Sequence, residues 1–366
     1  MSSRKLATVE TVTAIRAIPD ADAIECARIR GWDVVVKKGE FAAGERCLYL
    51  EVDTLIDVTD PRFAFLAPRG TRTDMDGNTG HVLKTARLRG QYSQGLALPL
   101  TDFPEITGPD GLTLPAGADV TGLLPVTLWT PPLPANLTGH AYGRIPGWIP
   151  VTDEDRLENN PHLLTAREHI WTATEKLDGT STTVYVNPHA GDTTDLTPSH
   201  WRGIRGVCSR NYDLAYDPEQ TQWRLALDAD LHTRMADAWP GQQAVLQGET
   251  IGESIQGNPL RVTGQRLVLF TVRVAGRELP RAEWPDWVLQ QAVPTYPDLE
   301  FPSTVDDAVI QVDGLTSRYT PGQPAEGVVW RADTATVRGG DTPDSVWTAR
   351  GSFKVISRRY LLKHDR

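Results

Sequence analysis

Along the first hundred positions, apolar and polar residues alternate in short runs. Residues 8–18, 24–29, 32–36 and 47–52 each alternate, separated by the turn Pro19-Asp20-Ala21-Asp22 and by a break at Lys38-Gly39. A period of two marks a strand with one covered face. Residues 82–98 add two more strands around a polar loop. Between them, Arg62 to Gly80 is rich in Gly, Asp, Thr and Arg and is expected to be a mobile insertion.

Five or six closely spaced strands with glycine-bearing turns predict a small β-barrel of the OB-fold type over residues 1–125. The pattern then changes. Pro125, Pro131, Pro132, Pro134, Pro146 and Pro150 crowd a stretch that also holds Gly139, Gly143 and Gly147. Neither helix nor sheet is expected at that density, so residues 126–150 read as a semi-stiff linker and 151–366 as a second domain. Within that domain, residues 153–171 have the spacing of a short helix, and 173–186 form two β-prone runs about Asp178-Gly179.

Composition narrows the class. A chain of 366 residues with 40% hydrophobic positions can supply two cores. No apolar run approaches the ~20 residues of a membrane-crossing helix, and the polar start Met1-Ser2-Ser3-Arg4-Lys5 leads into no signal-like segment. A cytoplasmic protein is expected. Cys26, Cys47 and Cys208 are too few and too scattered for a disulfide framework or a Cys-x-x-Cys metal site. The net charge of −10 argues against coating nucleic acid through bulk electrostatics, but it leaves local basic tracks. These are Lys84, Arg87 and Arg89 beside Tyr92; Arg202, Arg205 and Arg210; and Arg358, Arg359 and Lys363. On the barrel, the first set fits a groove for single-stranded or nicked nucleic acid and fits equally a solvated sheet edge.

Lys176 ends the first of the two β-prone runs, two residues ahead of Asp178 and three ahead of Gly179. Asp-Gly between such runs is first of all the signal of a type I′ hairpin, and a Lys-x-Asp-Gly string arises by chance in about one chain in ten of this length. The chemistry available to such a lysine is more specific. An amine attacks phosphorus only when neutral, and a free lysine, with a pKa of ~10.4, is almost wholly protonated at neutral pH. Glu175 and Asp178 flank Lys176, and their charge favours the ammonium. A divalent cation held by carboxylates reverses that field, so a catalytic Lys176 implies a metal, with Mg²⁺ the best match beside phosphates. There is no phosphate-loop, dinucleotide or His-Glu-x-x-His motif.

Further pieces follow Lys176-Leu177-Asp178-Gly179 in order: Cys208-Ser209-Arg210-Asn211, Gln247-Gly248-Glu249, Leu269-Phe270-Thr271-Val272, Glu326-Gly327-Val328-Val329 and Ser352-Phe353-Lys354-Val355-Ile356-Ser357. This ordered set resembles the covalent nucleotidyltransferases, the superfamily of ATP-dependent RNA and DNA ligases and mRNA capping enzymes. The Cys-Ser-Arg-Asn block and the C-terminal ending look like RNA ligases. An OB-like module ahead of the catalytic part points to the fifth RNA ligase family, since only some twelve residues follow Lys354.

The resemblance implies an α+β protein, an OB-fold barrel followed by a nucleotidyltransferase domain of antiparallel sheets with flanking helices. It implies ATP-dependent sealing of 3′-hydroxyl and 5′-phosphate ends through a lysyl-AMP and an adenylylated 5′ end. ATP and Mg²⁺ or Mn²⁺ are the implied cofactors, RNA or a nicked duplex the partner, with no obligate protein partner. By the same resemblance Lys176 accepts AMP, Asp178, Glu249 and Glu326 position a hydrated metal, and Lys354 holds the α-phosphate. Arg210 takes the phosphate or ribose, Phe270 stacks on adenine, Glu175 joins the nucleotide-binding set with Glu249 and Glu326, and Arg156 reaches the β- and γ-phosphates. The superfamily's last motif has a second lysine where this chain has Ile356. Which residue takes the second cationic role is left open, and Arg358 or Lys363 is expected to contribute only to holding nucleic acid. Rival readings are an ATP-dependent DNA ligase and a nucleic-acid-binding OB protein with an inactive catalytic half.

Overall fold

The computed structural model describes residues 4–106, 114–132, 140–191, 201–339 and 347–364. The barrel is organised by the strand Ala7–Ala17, which pairs antiparallel with Arg46–Leu50 through its first half and with Ile24–Ile29 through its second. The register shifts between Val12 and Ala14, and such an irregularity bends one long strand so that it serves both faces of a closed structure. Trp32–Lys37 and Leu96–Pro99 complete a five-stranded sheet. One core packs Val9, Leu48, Ile56 and Phe63, and a second packs Val12, Trp32, Tyr49 and Val34.

Two expectations for this half are corrected. Residues 62–80 are not a mobile loop. Phe63 is fully buried 5.8 Å from the Phe103 ring, a 3₁₀ turn covers Ala64–Arg69, and Arg72–Thr73 pairs with Thr79–Val82. A single aromatic anchor outweighs the polar composition around it. The proline-rich stretch likewise holds two short strands where none was expected: Val126–Leu128 pairs with Thr54–Ile56, and Ala141–Arg144 pairs with Tyr212–Leu214. Neither strand contains proline, and both lie at sheet edges, where missing donors on one side cost nothing.

The second half is built on two antiparallel sheets. The larger has seven strands, in the order Ala141–Arg144, Tyr212–Leu214, Arg205–Cys208, Thr180–Val186, Ala244–Gly252, Gln265–Val274 and Arg277–Glu278. The smaller runs Trp171–Lys176, Gly327–Gly339, Trp347–Ile356. Helices Thr221–Asp228 and Leu231–Ala238 cover the larger sheet through Trp223 and Met235, which pack on Val184 and Leu246. Helix Val305–Asp313 covers the smaller one through Val309 and Val312, and its N-terminus is capped where the Asp307 N–H donates to Thr304 Oγ1 at 3.0 Å. The helix expected over residues 153–171 is replaced by 3₁₀ turns at Leu157–Asn159 and Pro161–Thr165. Pro161 opens the second turn and has no N–H to continue the first, while Leu157, Leu163 and Leu164 still reach the core.

Asp178-Gly179 is not a hairpin turn either. Trp171–Lys176 and Thr180–Val186 belong to different sheets, so the loop crosses from one wall of a cleft to the other. Gly179 is required by crowding, because a Cβ there would lie 2.2 Å from the Thr250 carbonyl oxygen. The barrel docks on this half just as closely. The Gly31 N–H donates to the Glu158 carbonyl at 2.9 Å, a Cβ on Gly31 would lie 2.7 Å from Glu158 Cα, and Trp32 Nε1 donates to Asn159 Oδ1 at 2.6 Å.

Candidate active site

A cavity of about 340 Å³ opens between the two sheets. Lys176, at the end of its strand, shares a face with Thr174, because alternate residues of a strand point the same way. Thr174 lies opposite Val329, which lies opposite Lys354, so both lysines are presented to the cleft from one sheet. The neighbours Phe353 and Val355 point the other way and are fully buried. Lys176 Nζ donates to Glu326 Oε1 at 2.6 Å, and Glu326 is buried with its second oxygen, Oε2, lacking a hydrogen-bond partner.

The opposite wall presents Glu249 and Phe270. Gln247 pairs with Thr271 but Gly248 pairs with Leu269, so Phe270 is the extra residue of a bulge. A bulge turns a side chain out of the ladder's alternation, and here it leaves the half-buried Phe270 ring lining the cleft in an otherwise core strand. Burial raises the Glu249 carboxyl to about 8, with Glu326 pushing in the same direction and Lys176 opposing.

At the mouth, Asp153 accepts from Lys354 Nζ at 2.6 Å through Oδ1 and from Arg210 Nη2 at 3.1 Å through Oδ2. Burial alone would raise the Asp153 carboxyl, but Lys354 and Arg210 outweigh it and hold it well below the usual range. Lys354 is lowered chiefly by its own burial, with Arg156 and Lys176 adding to that and Asp153 opposing. Asp213, the obvious sequence neighbour for Arg210, instead accepts from the Tyr185 hydroxyl at 3.2 Å.

The structure thus brings Lys176, Arg210, Glu249, Phe270 and Lys354 to one cavity, with Glu326 behind Lys176 and with Glu175 in the lining but its carboxylate turned away. Other expected residues direct their side chains elsewhere, although the Arg156 backbone bridges to Lys354. The Asp178 carboxylate accepts from the Tyr360 hydroxyl at 2.9 Å. Arg156 is buried under the barrel, with its guanidinium 5.6 Å from the Trp32 ring and Nη1 unpartnered. The Glu175 carboxylate faces away from Lys176 and accepts from the N–H groups of Arg318 and Tyr319 at 2.8 and 3.0 Å. Among the described residues, no three acidic, His or Cys side chains converge as a metal cage.

Sequence reasoning missed Asp153 and the ion pair of Glu154 with Arg331 at 2.9 Å. The acidic run Asp153-Glu154-Asp155, directly after the prolines, was the available signal. Arg358 does not stand ready to hold nucleic acid. It is buried, 3.3 Å from Asp33 of the barrel and 5.7 Å from the Tyr92 ring.

An OB-fold domain model matches residues 6–100, and an RNA ligase family model matches residues 169–356. The fold and the match define an RNA ligase with an N-terminal OB-fold module. Among solved structures, a variant RNA ligase of Naegleria gruberi with AMP and Mn is 34% identical over 99% of both chains, with a TM-score of 0.80. The RNA ligase of the same organism with PPi matches over 100% of both chains at 34% identity and a TM-score of 0.80. A variant with ATP and Mn matches at 33% identity over 99% of both chains, again with a TM-score of 0.80. A search of curated proteins found no match. The chain belongs to the RNA ligase family.

Proposed function

We propose that this protein is an ATP-dependent RNA ligase in which Lys176 is the residue that carries AMP. The OB-fold module takes in the strand Val126–Leu128, the catalytic unit begins with the strand Ala141–Arg144, and the chain between those strands serves as the connector. The observation that carries the reading is the placement of Lys176 and Lys354 on one sheet face, opposite the outturned Phe270 ring.

In the first step the Lys176 amine forms an N–P bond to the α-phosphate of ATP as the bond to pyrophosphate breaks. Glu326, at 2.6 Å, is placed to take the ammonium proton. Lys354 and Arg210 are placed to hold phosphate oxygens whose negative charge grows during in-line displacement, and Phe270 offers a face to the adenine. AMP then passes to a 5′-phosphate end, and a 3′-hydroxyl displaces it to join the strand.

Glu249 is raised by burial and by Glu326 in spite of Lys176, and Glu326 Oε2 has no hydrogen-bond partner, so two neighbouring carboxylates share one lysine, which suits a hydrated Mg²⁺ or Mn²⁺ nearby. When bound, such an ion supplies charge neutralisation at the phosphate. Asp178 accepts from the Tyr360 hydroxyl through Oδ2, a bond that orients the carboxylate and leaves it acceptor capacity with which it would help hold that ion.

The test is incubation with Mg²⁺ and α-labelled ATP or GTP, followed by denaturing electrophoresis. Label from ATP and not GTP should remain on the protein, withstand alkali and be released by acid or hydroxylamine, as a phosphoramidate requires. A label that survives Lys176→Ala would remove the assignment. Sealing of a 3′-hydroxyl, 5′-phosphate RNA nick tests the later steps.

A further inference from the structure

The C-terminal helix Arg358–His364 touches three parts of the molecule. It follows directly on the strand that ends at Ile356 and carries Lys354. The Ser357 hydroxyl fixes its start: Oγ donates to Asp313 Oδ1 at 2.8 Å and accepts from the Tyr360 N–H at 3.1 Å. The Ser357 N–H donates to the Glu326 carbonyl at 2.9 Å, so the helix is also anchored to the residue that pairs with Lys176. Arg358, the first residue of the helix, meets Asp33 and Tyr92 of the barrel. Two residues on, the Tyr360 hydroxyl donates to Asp178 Oδ2 at 2.9 Å, with both side chains buried.

We propose that Tyr360 is a positioning residue that locks Asp178, and with it the crossing loop Lys176-Leu177-Asp178-Gly179, in the geometry that delivers Lys176 to the α-phosphate. This rests on the proposed adenylation of Lys176. A hydrogen bond to a charged acceptor is stronger than a neutral one, and at a buried carboxylate it also fixes which oxygen faces which way. A phenol ordinarily titrates at ~10, so the Tyr360 hydroxyl is the donor and the carboxylate the acceptor across the working pH range. Leu177 is buried among Ile251, Leu260 and Val293, and Gly179 lies against the Thr250 carbonyl, so the backbone of the loop is seated by packing and Tyr360 sets the orientation of its buried carboxylate. The same helix is held to the barrel by Arg358, so docking of the OB module and aim of the nucleophile share one element.

The experiment compares wild type with Tyr360→Phe, which removes one oxygen and keeps the ring. Single-turnover formation of lysyl-AMP should slow about ten-fold, the scale of losing a partner that orients a working carboxylate, with little change in KM for ATP. Sealing of a nick by protein that already carries AMP should fall much less. Two-state melting supplies a readout independent of activity. Tyr360→Phe should lower Tm in the wild-type background and leave it unlowered in Asp178→Ala, where the acceptor of the bond is already gone. Wild-type rates in Tyr360→Phe, or equal Tm losses in both backgrounds, would overturn the positioning role. A wild-type protein that takes no label from ATP would overturn the functional reading and this inference together.

Discussion

The cleft contains two lysine–carboxylate pairs of identical length, and their surroundings differ. Lys176 Nζ and Glu326 Oε1 are 2.6 Å apart, and the Glu326 side chain is 9% exposed. Lys354 Nζ and Asp153 Oδ1 are also 2.6 Å apart, but the Asp153 side chain is 45% exposed and shares its second oxygen with Arg210. The first pair is private and leaves one buried oxygen unsatisfied. The second is a bridge at the cavity mouth that water and incoming phosphate can both reach. Distance alone therefore says little about what a pair does. In the first pair the carboxylate is the buried partner and keeps an orphan oxygen free to gain a cation, whereas in the second the lysine is the buried partner and the half-exposed carboxylate is an exchangeable counter-ion.

Four substitutions separate these roles. Lys176→Ala should abolish lysyl-AMP formation, read as labelled protein on a denaturing gel, and Glu326→Gln should come next in severity because the amide keeps the shape and cannot take a proton. Lys354→Ala should slow AMP transfer to Lys176 by ~10²–10³, the usual loss for a donor to a developing anion. Lys354→Arg should recover little of this in the same single-turnover assay, since a planar guanidinium does not replace a compact ammonium at a point contact.

Glu249 gives a test with stability as its readout. Its carboxyl stands at about 8 in the fold against an ordinary 4.5. The folded state thus holds a proton that the unfolded chain has released. This contribution to stability is complete below pH ~4.5 and is lost as pH rises toward ~8. Glu249→Gln should therefore raise Tm of the nucleotide-free protein at pH 8, with the gain vanishing near pH 4.5, while adenylation is lost. An equal gain at both pH values would mean that the carboxyl is already ionised in the fold. The smallest effect belongs to Asp153→Asn. Only the Asp153 end of the pair is open to solvent, where screening weakens it, so adenylation should stay within a few-fold, and affinity for pyrophosphate, measured by calorimetry, should rise as the competing carboxylate is removed. Weaker pyrophosphate binding would make Asp153 an orienting group for Lys354 instead.

Much of the site was legible because its residues are tied to short blocks whose order survives folding. Lys176, Glu249, Phe270 and Lys354 are each readable from such a block, and the alternation Phe353-Lys354-Val355 correctly points the lysine away from the core. What resisted reading depends on which sheet a segment joins. Asp178-Gly179 carries the local signal of a hairpin, yet its two strands part into different sheets, because pairing to Gly327 and to Thr250 outcompetes pairing to each other. Asp153 comes from an irregular segment whose position is set by the backbone bond from the Lys354 N–H to Asp155 O, a contact across two hundred residues that no local period encodes. Arg156 is placed by the same kind of contact: its backbone bridges to Lys354 while its guanidinium lies 5.6 Å from the Trp32 ring.

The close approach at Gly31 has a consequence for the whole chain. With the Gly31 N–H bonded to the Glu158 carbonyl and no room for even a methyl group between the backbones, the two halves share a boundary as tight as the interior of either. Cleavage within the proline-rich stretch would leave the covalent break but not free the pieces, which would stay associated as a nicked, non-covalent pair. Cooperativity then extends across the boundary, and heat melts barrel and catalytic half in one transition.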